Sequence, residues 1–335
     1  MQGGDSDGVV VPVYESGAEV LQKLQDKCSS NTNRSTYPAM YSSVVGGIIL
    51  DPAMMVLPID DHMVHRGHGV FDTAMLLDGC LYELDAHLDR FLRSAAKARI
   101  DTAPFPRDAL RSILLQMTAA SGCRKGSIRY WLSAGPGDFL LSSAGCPAPA
   151  FYAVVIAADY DQCRDGVRAI TTSVPMKPPL FATVKNVNYL PNVLSIMDAE
   201  DRGAFAAVWV DDQGYVAEGP MVNVAFITPD RELVLPAFDK ILSGCTAKRL
   251  LALAPKLVDA GLLTAVATRN ITAEDARRSV EMAFVGSGLP VLPVVEWDGN
   301  PIGDGEVGQL MMALSDLLWE DMKSGPDRIA VPYSG

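Results

Sequence analysis

The chain has 335 residues, with 28 lysines and arginines against 40 aspartates and glutamates, a formal charge of −12, and an isoelectric point near 4.8. An acidic surface of this kind excludes general binding to nucleic acid or anionic membrane, which needs phosphate-neutralising cations, but leaves room for a small anionic ligand held by a few local positive groups. At 49% hydrophobic and 20% charged residues the chain is globular, and its length exceeds one comfortable core, which predicts two domains.

Residues 1–37 read as an N-terminal extension whose first residues carry neither an apolar signal core nor an Arg-rich transit pattern. Within it, 18–27 reads as a short helix, with Ser16 and Glu19 spaced as a capping box, and 29–36 as a polar linker. A small α+β domain is expected over 38–158. Its elements are a strand at 44–50, a hairpin at 70–84 turned by Asp78-Gly79, and a helix N-capped by Asp85 whose Leu88, Phe91, Leu92 and Ala95 form one face. A second helix at 107–121 and strands at 127–133 and 151–157 complete it.

A larger mixed domain is expected over 159–335. Strands are predicted at 166–173, 206–210, 215–218, 224–227, 265–269 and 283–286, and helices at 189–202, 246–260 and 309–323. No βαβ rhythm, no Gly-x-Gly-x-x-Gly after a strand and no solenoid repeat is present. The longest apolar runs, such as 151–158, fall far short of the ~20 residues a membrane helix needs. The six cysteines are scattered without Cys-x-x-Cys spacing, which suits reduced thiols in a reducing compartment.

Few residues carry chemistry by themselves. His62, His65 and His68 are three apart, as a metal-binding helix face would place them, yet Gly67 and Gly69 interrupt the segment and no cysteine follows at ligand spacing. They read as turn and pocket-wall histidines, and no metal is expected. Lys185 ends the apolar stretch 178–184. It is either a surface lysine at a strand end or a desolvated amine able to attack a carbonyl carbon. Glu218 ends a short strand and could be a plain turn residue. Ser243-Gly244-Cys245-Thr246 opens a helix and Gly286-Ser287-Gly288 leaves a strand, so both could present backbone N–H groups to an anion or serve as a cap and a turn. Arg90, Arg93 and Arg99 lie on or beside the first long helix, where arginines are usually solvated.

Five ordered segments change this picture: HRGHGVFDTAMLLDGCLYELDAHLDR, VKNVNYLPNVLSIMDAEDRGA, VDDQGYVAEGPMVNVAFI, ILSGCTAKR and FVGSGLPVLPV. Together, over about 40–325, they resemble the fold type IV pyridoxal-phosphate enzymes, which comprise D-amino acid aminotransferases, branched-chain aminotransferases and aminodeoxychorismate lyases. Over the whole length the chain is most similar to the plant-type D-amino acid transaminases. The resemblance implies a two-domain α+β fold with a small N-terminal domain and a larger, β-barrel-like C-terminal domain. It also implies pyridoxal 5'-phosphate as cofactor, amino and 2-oxo acids as substrates, a homodimer, and residence in the cytoplasm or plastid stroma.

By position, the resemblance makes Lys185 the catalytic lysine that holds the cofactor as a Schiff base. Glu218 becomes the partner of the pyridine nitrogen, supported by Asn223, and Tyr189 a neighbour of the cofactor's 3′-oxygen. Arg90, Thr246, Ser287 and the Cys245 amide become the phosphate contacts. The activity implied is transamination of D-amino acids such as D-alanine, D-methionine or D-aspartate with 2-oxoglutarate or pyruvate. The alternatives are aminodeoxychorismate lyase and then branched-chain L-amino acid transamination. Bacterial D-amino acid aminotransferases carry a carboxylate-binding arginine in a Thr-Arg-Gly turn, whereas residues 133–137 here read Ser-Ala-Gly-Pro-Gly. Arg129, Arg66 and the backbone of Gly288 and Leu289 are candidate replacements, with Phe71 on the pocket wall.

Overall fold

A computed structural model describes residues 9–31 and 36–333; part of the polar stretch 29–36 therefore lies outside the described residues. The N-terminal helix α1 (Gly17–Ser29) starts where the Ser16 hydroxyl accepts the Ala18 N–H. Next come β1 (Ala39–Ser42), β2 (Gly47–Ile49), the short α2 (His62–Arg66), β3 (Gly69–Leu77) and β4 (Cys80–Tyr82), then α3 (Leu84–Lys97), α4 (Arg107–Ser121), β5 (Gly126–Ser133) and β6 (Ala150–Ala157). The β3–β4 hairpin forms as predicted, with Asp78 and Gly79 both at positive φ, 50° and 74°.

The expected strand at 44–50 divides instead into β1 and β2 around a turn in which Gly46 adopts φ 77°. Asp85 is not the cap of α3. The cap is Glu83, at φ 50° without a side-chain hydrogen bond, because its N–H donates to the Asp327 carbonyl and the helix begins at once. Asp85 lies in the first turn, where a negative charge suits the helix dipole, and pairs with Arg107 and Arg111.

The second part contains β7 (Val167–Thr171), α5 (Pro179–Ala182), α6 (Leu190–Asp201), β8 (Ala206–Val208), β9 (Asn223–Ile227), β10 (Glu232–Leu235), α7 (Cys245–Leu253) and α8 (Pro255–Asp259). It continues with β11 (Ala265–Thr268), α9 (Ala273–Arg277), β12 (Glu281–Gly286), β13 (Leu289–Trp297), β14 (Asn300–Pro301) and α10 (Gln309–Ser324). The helix expected over 246–260 is broken at Pro255, which has no N–H to give. Residues 215–218 form only isolated bridges, Val210 to Val216 and Tyr215 to Thr272. The unexpected strand β13 sits in the middle of the second sheet. Pro290 and Pro293 disguise it in the sequence, since proline cannot donate to a ladder.

Two sheets result, ordered β2-β1-β6-β5-β3-β4 plus one further strand, and β11-β10-β9-β12-β13-β7-β8 with β14 beside β13. The further strand is β15 (Arg328–Ala330), which returns to pair antiparallel with β4. Residues 328–330 therefore join the first sheet. One face of the first sheet packs on α3 and α4 through Leu84, Leu88, Phe91, Leu110 and Leu114. The second sheet buries both faces: Ala225, Ile227, Ala283 and Val285 meet α7 and α10, while Val224, Phe226, Val234, Phe284 and Trp297 meet side chains of β7 and β8. Two sheets flanked by helices make up the α+β architecture expected. No described helix is long and apolar enough to cross a membrane.

Candidate active site

A cavity of about 350 Å³ lies between the two sheets, lined by Phe71, Thr73 and Arg129 from the first and by Asn223, Ser287 and Gly288 from the second part. Strand alternation builds the first wall. Ile128 and Tyr130 turn into the core beneath β5, which leaves Arg129 on the cavity side beside Thr73 of β3.

Lys185 projects into this space from the loop between α5 and α6. Its backbone is pinned on two sides: its carbonyl accepts the Phe71 N–H (2.9 Å), and its own N–H donates to Ser94 Oγ (3.2 Å). The Val187 N–H donates to the Gly69 carbonyl, so the loop extends the first sheet by one bridge. The Lys185 amine lies 3.4 Å from the Tyr189 hydroxyl and 4.6 Å from the centre of the Phe71 ring. Burial, and then the nearby Arg90 guanidinium, lower its pKa to about 8, against an opposing pull from Asp72 and Glu218. At pH 7 about a tenth of such an amine is neutral, far more than for an ordinary lysine.

The Glu218 carbonyl accepts the Trp209 N–H, the neighbouring Ala217 N–H donates back to the Trp209 carbonyl, and Glu218 is 8% exposed. One carboxylate oxygen accepts the Leu242 N–H (3.2 Å) and the Asn223 amide (3.5 Å). The same Asn223 amide donates to the Leu242 carbonyl, locking the three together. Burial pushes the Glu218 carboxyl up to about 8, because no cation is within ion-pairing distance. A positive group placed against it would restore the ionised form.

The residues expected to contact an anion gather at the start of α7. Its cap, Gly244, has no side-chain hydrogen bond, Ser243 Oγ is buried without a partner, and Thr246 Oγ1 lies 3.3 Å from Ser287 Oγ across the gap between strand and helix. A Cβ at residue 244 would collide with Asn223 Oδ1, so glycine lets the helix start sit directly on the residue that orients Glu218. Arg90 reaches this region from α3, but the fork expected to grip an anion is occupied. Its Nε and Nη2 donate to Asp72 at 2.9 and 2.6 Å, and Nη1 faces the Ser243 carbonyl at 3.4 Å. Asp72 also accepts from His87 Nδ1 at 2.9 Å. Burial disfavours the charged imidazole, yet Cys245 and Asp72 outweigh it and push His87 up to about 9. Asp72 itself is held well below the usual carboxylate range: its burial cost is outweighed by Arg90 and His87.

Lys185, Tyr189, Glu218, Asn223, Arg90, Cys245, Thr246, Ser287, Gly288, Phe71 and Arg129 thus surround one cavity. Two expected residues do not. Arg66 is exposed, its guanidinium held by the His65 and Phe139 carbonyls, because α2 ends with that side chain directed along the 135–145 loop. Leu289 starts β13 directly after Gly288 of the cavity wall, and its side chain packs into the second sheet's core, so only its backbone remains a candidate contact. His62 meets the rings of His65 and His68 edge-on, and none of the three walls the cavity.

Asp72, His87 and Lys177 were not anticipated. A lone acid inside the apolar strand GVFDTAMLL, and a histidine one helical turn before Arg90, were the available signals for the first two. Lys177, before two prolines, offered none.

Sequence comparison decides the family. A family described as Amino-transferase class IV matches residues 69–297. The chain belongs to the class IV aminotransferases. It is 58% identical over 298 residues to a chloroplastic D-amino-acid transaminase of Arabidopsis thaliana, covering 88% of this chain and 80% of that one. It is also 31% identical over 226 residues to a bifunctional aminodeoxychorismate lyase / D-amino acid transaminase of Mycobacterium tuberculosis, covering 62% and 76%. Among solved structures it resembles the branched-chain aminotransferase of the thermophilic archaeon Thermoproteus uzoniensis with norvaline, with a TM-score of 0.78 and 21% identity over 88% of this chain and 99% of that one. That likeness establishes the fold type. Class IV aminotransferases use pyridoxal phosphate, and the donor set fits it: an uncapped helix start and two hydroxyls for a phosphate, a depressed lysine amine, and a buried acid lacking a cation.

Proposed function

We propose that the chain transfers the amino group of D-amino acids, such as D-alanine, D-methionine or D-aspartate, to 2-oxoglutarate or pyruvate, with pyridoxal 5'-phosphate attached to Lys185. The observation that carries this reading is the Lys185 amine, depressed to about 8 beside Tyr189 and sharing its cavity with Glu218. When bound, the cofactor supplies an electron sink for the pair left at the substrate Cα and carries the amino group between half-reactions.

This chain's residues do the rest. Freed from the cofactor, the Lys185 amine would take the proton from the substrate Cα and return it to C4′ of the cofactor, and its lowered pKa suits it to both roles. Glu218 is the charge partner of the cofactor's ring nitrogen, oriented by Asn223 and the Leu242 N–H. Thr246, Ser287, the Cys245 amide and the remaining Nη1 of Arg90 hold the phosphate, with Asp72 and His87 fixing the arginine. Tyr189 stands for the 3′-oxygen, and Phe71, Arg129 and Gly288 form the substrate side.

The site belongs to a small domain and a larger domain meeting at the cavity, in a homodimer. The name of the Arabidopsis relative supports a plastid location. Purified protein given D-alanine and 2-oxoglutarate should form D-glutamate, resolved by chiral chromatography. Turnover of L-leucine alone would overturn the assignment. The Mycobacterium tuberculosis relative, named for both activities, supports a second reading as aminodeoxychorismate lyase, and release of 4-aminobenzoate from aminodeoxychorismate would favour it.

A further inference from the structure

Four cations line the cavity, Arg90, Arg129, Lys177 and Lys185, and among the described residues only Arg90 of these has an acid partner. Among the described residues Lys240 alone of the lysines forms an ion pair. The Lys177 amine lies 4.7 Å from the centre of the Tyr189 ring, on the tyrosine whose hydroxyl touches the Lys185 amine. Burial lowers its pKa, while Tyr189 and Glu218 help to hold its charge.

Its backbone is fixed on both sides. On one, Trp209 Nε1 donates to the Val174 carbonyl (2.9 Å), and Met176 packs on buried Trp209, Ala217 and Ile241. On the other, Pro178 and Pro179 open α5 and restrict residue 177 to extended backbone. A half-buried ammonium presented this rigidly, into a cavity, against an aromatic face, is arranged for an anion that comes from outside. The other cavity cations have partners of their own: Arg90 is held by Asp72, the Lys185 amine faces the Tyr189 hydroxyl at 3.4 Å, and Arg129 donates its Nε to Thr73 Oγ1 at 3.2 Å, whereas the Lys177 amine makes no hydrogen bond among the described residues. The phosphate cradle of Thr246 and Ser287 is a separate wall.

We propose that Lys177 binds the α-carboxylate of the substrate, the one anionic group common to every amino and 2-oxo acid. The identity of this ligand rests on the aminotransferase reading above; the existence of a carboxylate subsite does not. Lys177 is a substrate-binding residue and moves no proton.

The probe is propionate, a carboxylate without an amino group, titrated calorimetrically into the cofactor-loaded protein. Lys177→Gln should weaken its binding about tenfold or more, and Lys177→Arg by no more than about threefold. The visible absorption of bound cofactor should be unchanged in both variants. KM for D-alanine and for pyruvate should rise together in Lys177→Gln, with kcat changed far less. Wild-type protein that fails to bind propionate, or a Gln variant that binds it equally well, overturns the proposal. So does a Gln variant with intact propionate binding and a shifted absorption band, which would make Lys177 a tuner of Glu218. Protein that binds propionate through Lys177 but does not transaminate D-alanine refutes the functional reading and leaves the subsite standing.

Discussion

The Lys185 amine and the Tyr189 hydroxyl meet at 3.4 Å across the start of α6, four residues apart in sequence. The contact exists because Tyr189 takes a non-helical cap conformation there, turning its ring toward Phe71 at 5.0 Å between centres. It joins the amine to the aromatic wall.

With a pKa of about 8, the Lys185 amine is mostly ammonium below that pH and mostly free above it. Only the free amine attacks a carbonyl, so covalent cofactor uptake should quicken about tenfold per pH unit up to the pKa and level off beyond it. Mixing cofactor-free protein with pyridoxal phosphate and following the visible band checks this; a rate indifferent to pH would contradict it. Lys185→Ala should lose the covalent band altogether and at least about 10³-fold of turnover.

Glu218 yields a prediction about stability. Its carboxyl, ordinarily titrating at 4.5, keeps its proton to about 8 in the folded protein. The folded state therefore binds more protons than the unfolded state between those values, and the site's contribution is full below 4.5 and lost as pH rises through 8. Cofactor-free Glu218→Gln should escape that loss and be roughly 2 kcal/mol more stable than wild type at the alkaline end. Urea unfolding at several pH values measures the difference. The same variant, loaded with cofactor, should turn over about 10²-fold more slowly.

Asp72 serves two buried cations at once. Asp72→Asn keeps the shape but leaves Arg90 and His87 uncompensated, which should cost about 3–5 kcal/mol in equilibrium unfolding and weaken cofactor binding. Unchanged stability would mean that Arg90 finds its countercharge elsewhere.

Gly244→Ala tests the join between cradle and acid. The new Cβ must displace Asn223 Oδ1, and with it the amide that orients Glu218. Cofactor dissociation measured by dialysis should be at least about tenfold faster, with overall stability lowered by about 1 kcal/mol.

Arg129 and Arg66 were equal candidates in the sequence and are unequal in the fold. Arg129→Ala should raise KM for amino acids about threefold to tenfold. Arg66→Ala, remote from the cavity, should leave steady-state kinetics unchanged.

The hairpin at Asp78-Gly79 and the amphipathic helices α3 and α4 were legible because turn chemistry and 3.6-residue periodicity are local signals. Lys185, Glu218 and Thr246 were bland individually and became legible only as an ordered set. What stayed hidden was pairing at a distance. Arg90 reads as a free fork until β3 brings Asp72 under it, eighteen residues away. Strand β13 was masked by its prolines, and the residues that empty or fill the cavity depend on alternation along strands whose starting register no local pattern sets.

The return of β15 to β4 bears on how the chain is made. Synthesis proceeds from the N-terminus, so β4 leaves the ribosome nearly 250 residues before its last neighbour, Arg328–Ala330, exists. Until then one rim of the first sheet offers unpaired backbone groups to any passing strand. That sheet cannot be completed before residues 328–330 have been made, and a nascent chain stalled or truncated before residue 328 would carry an open, adhesive border.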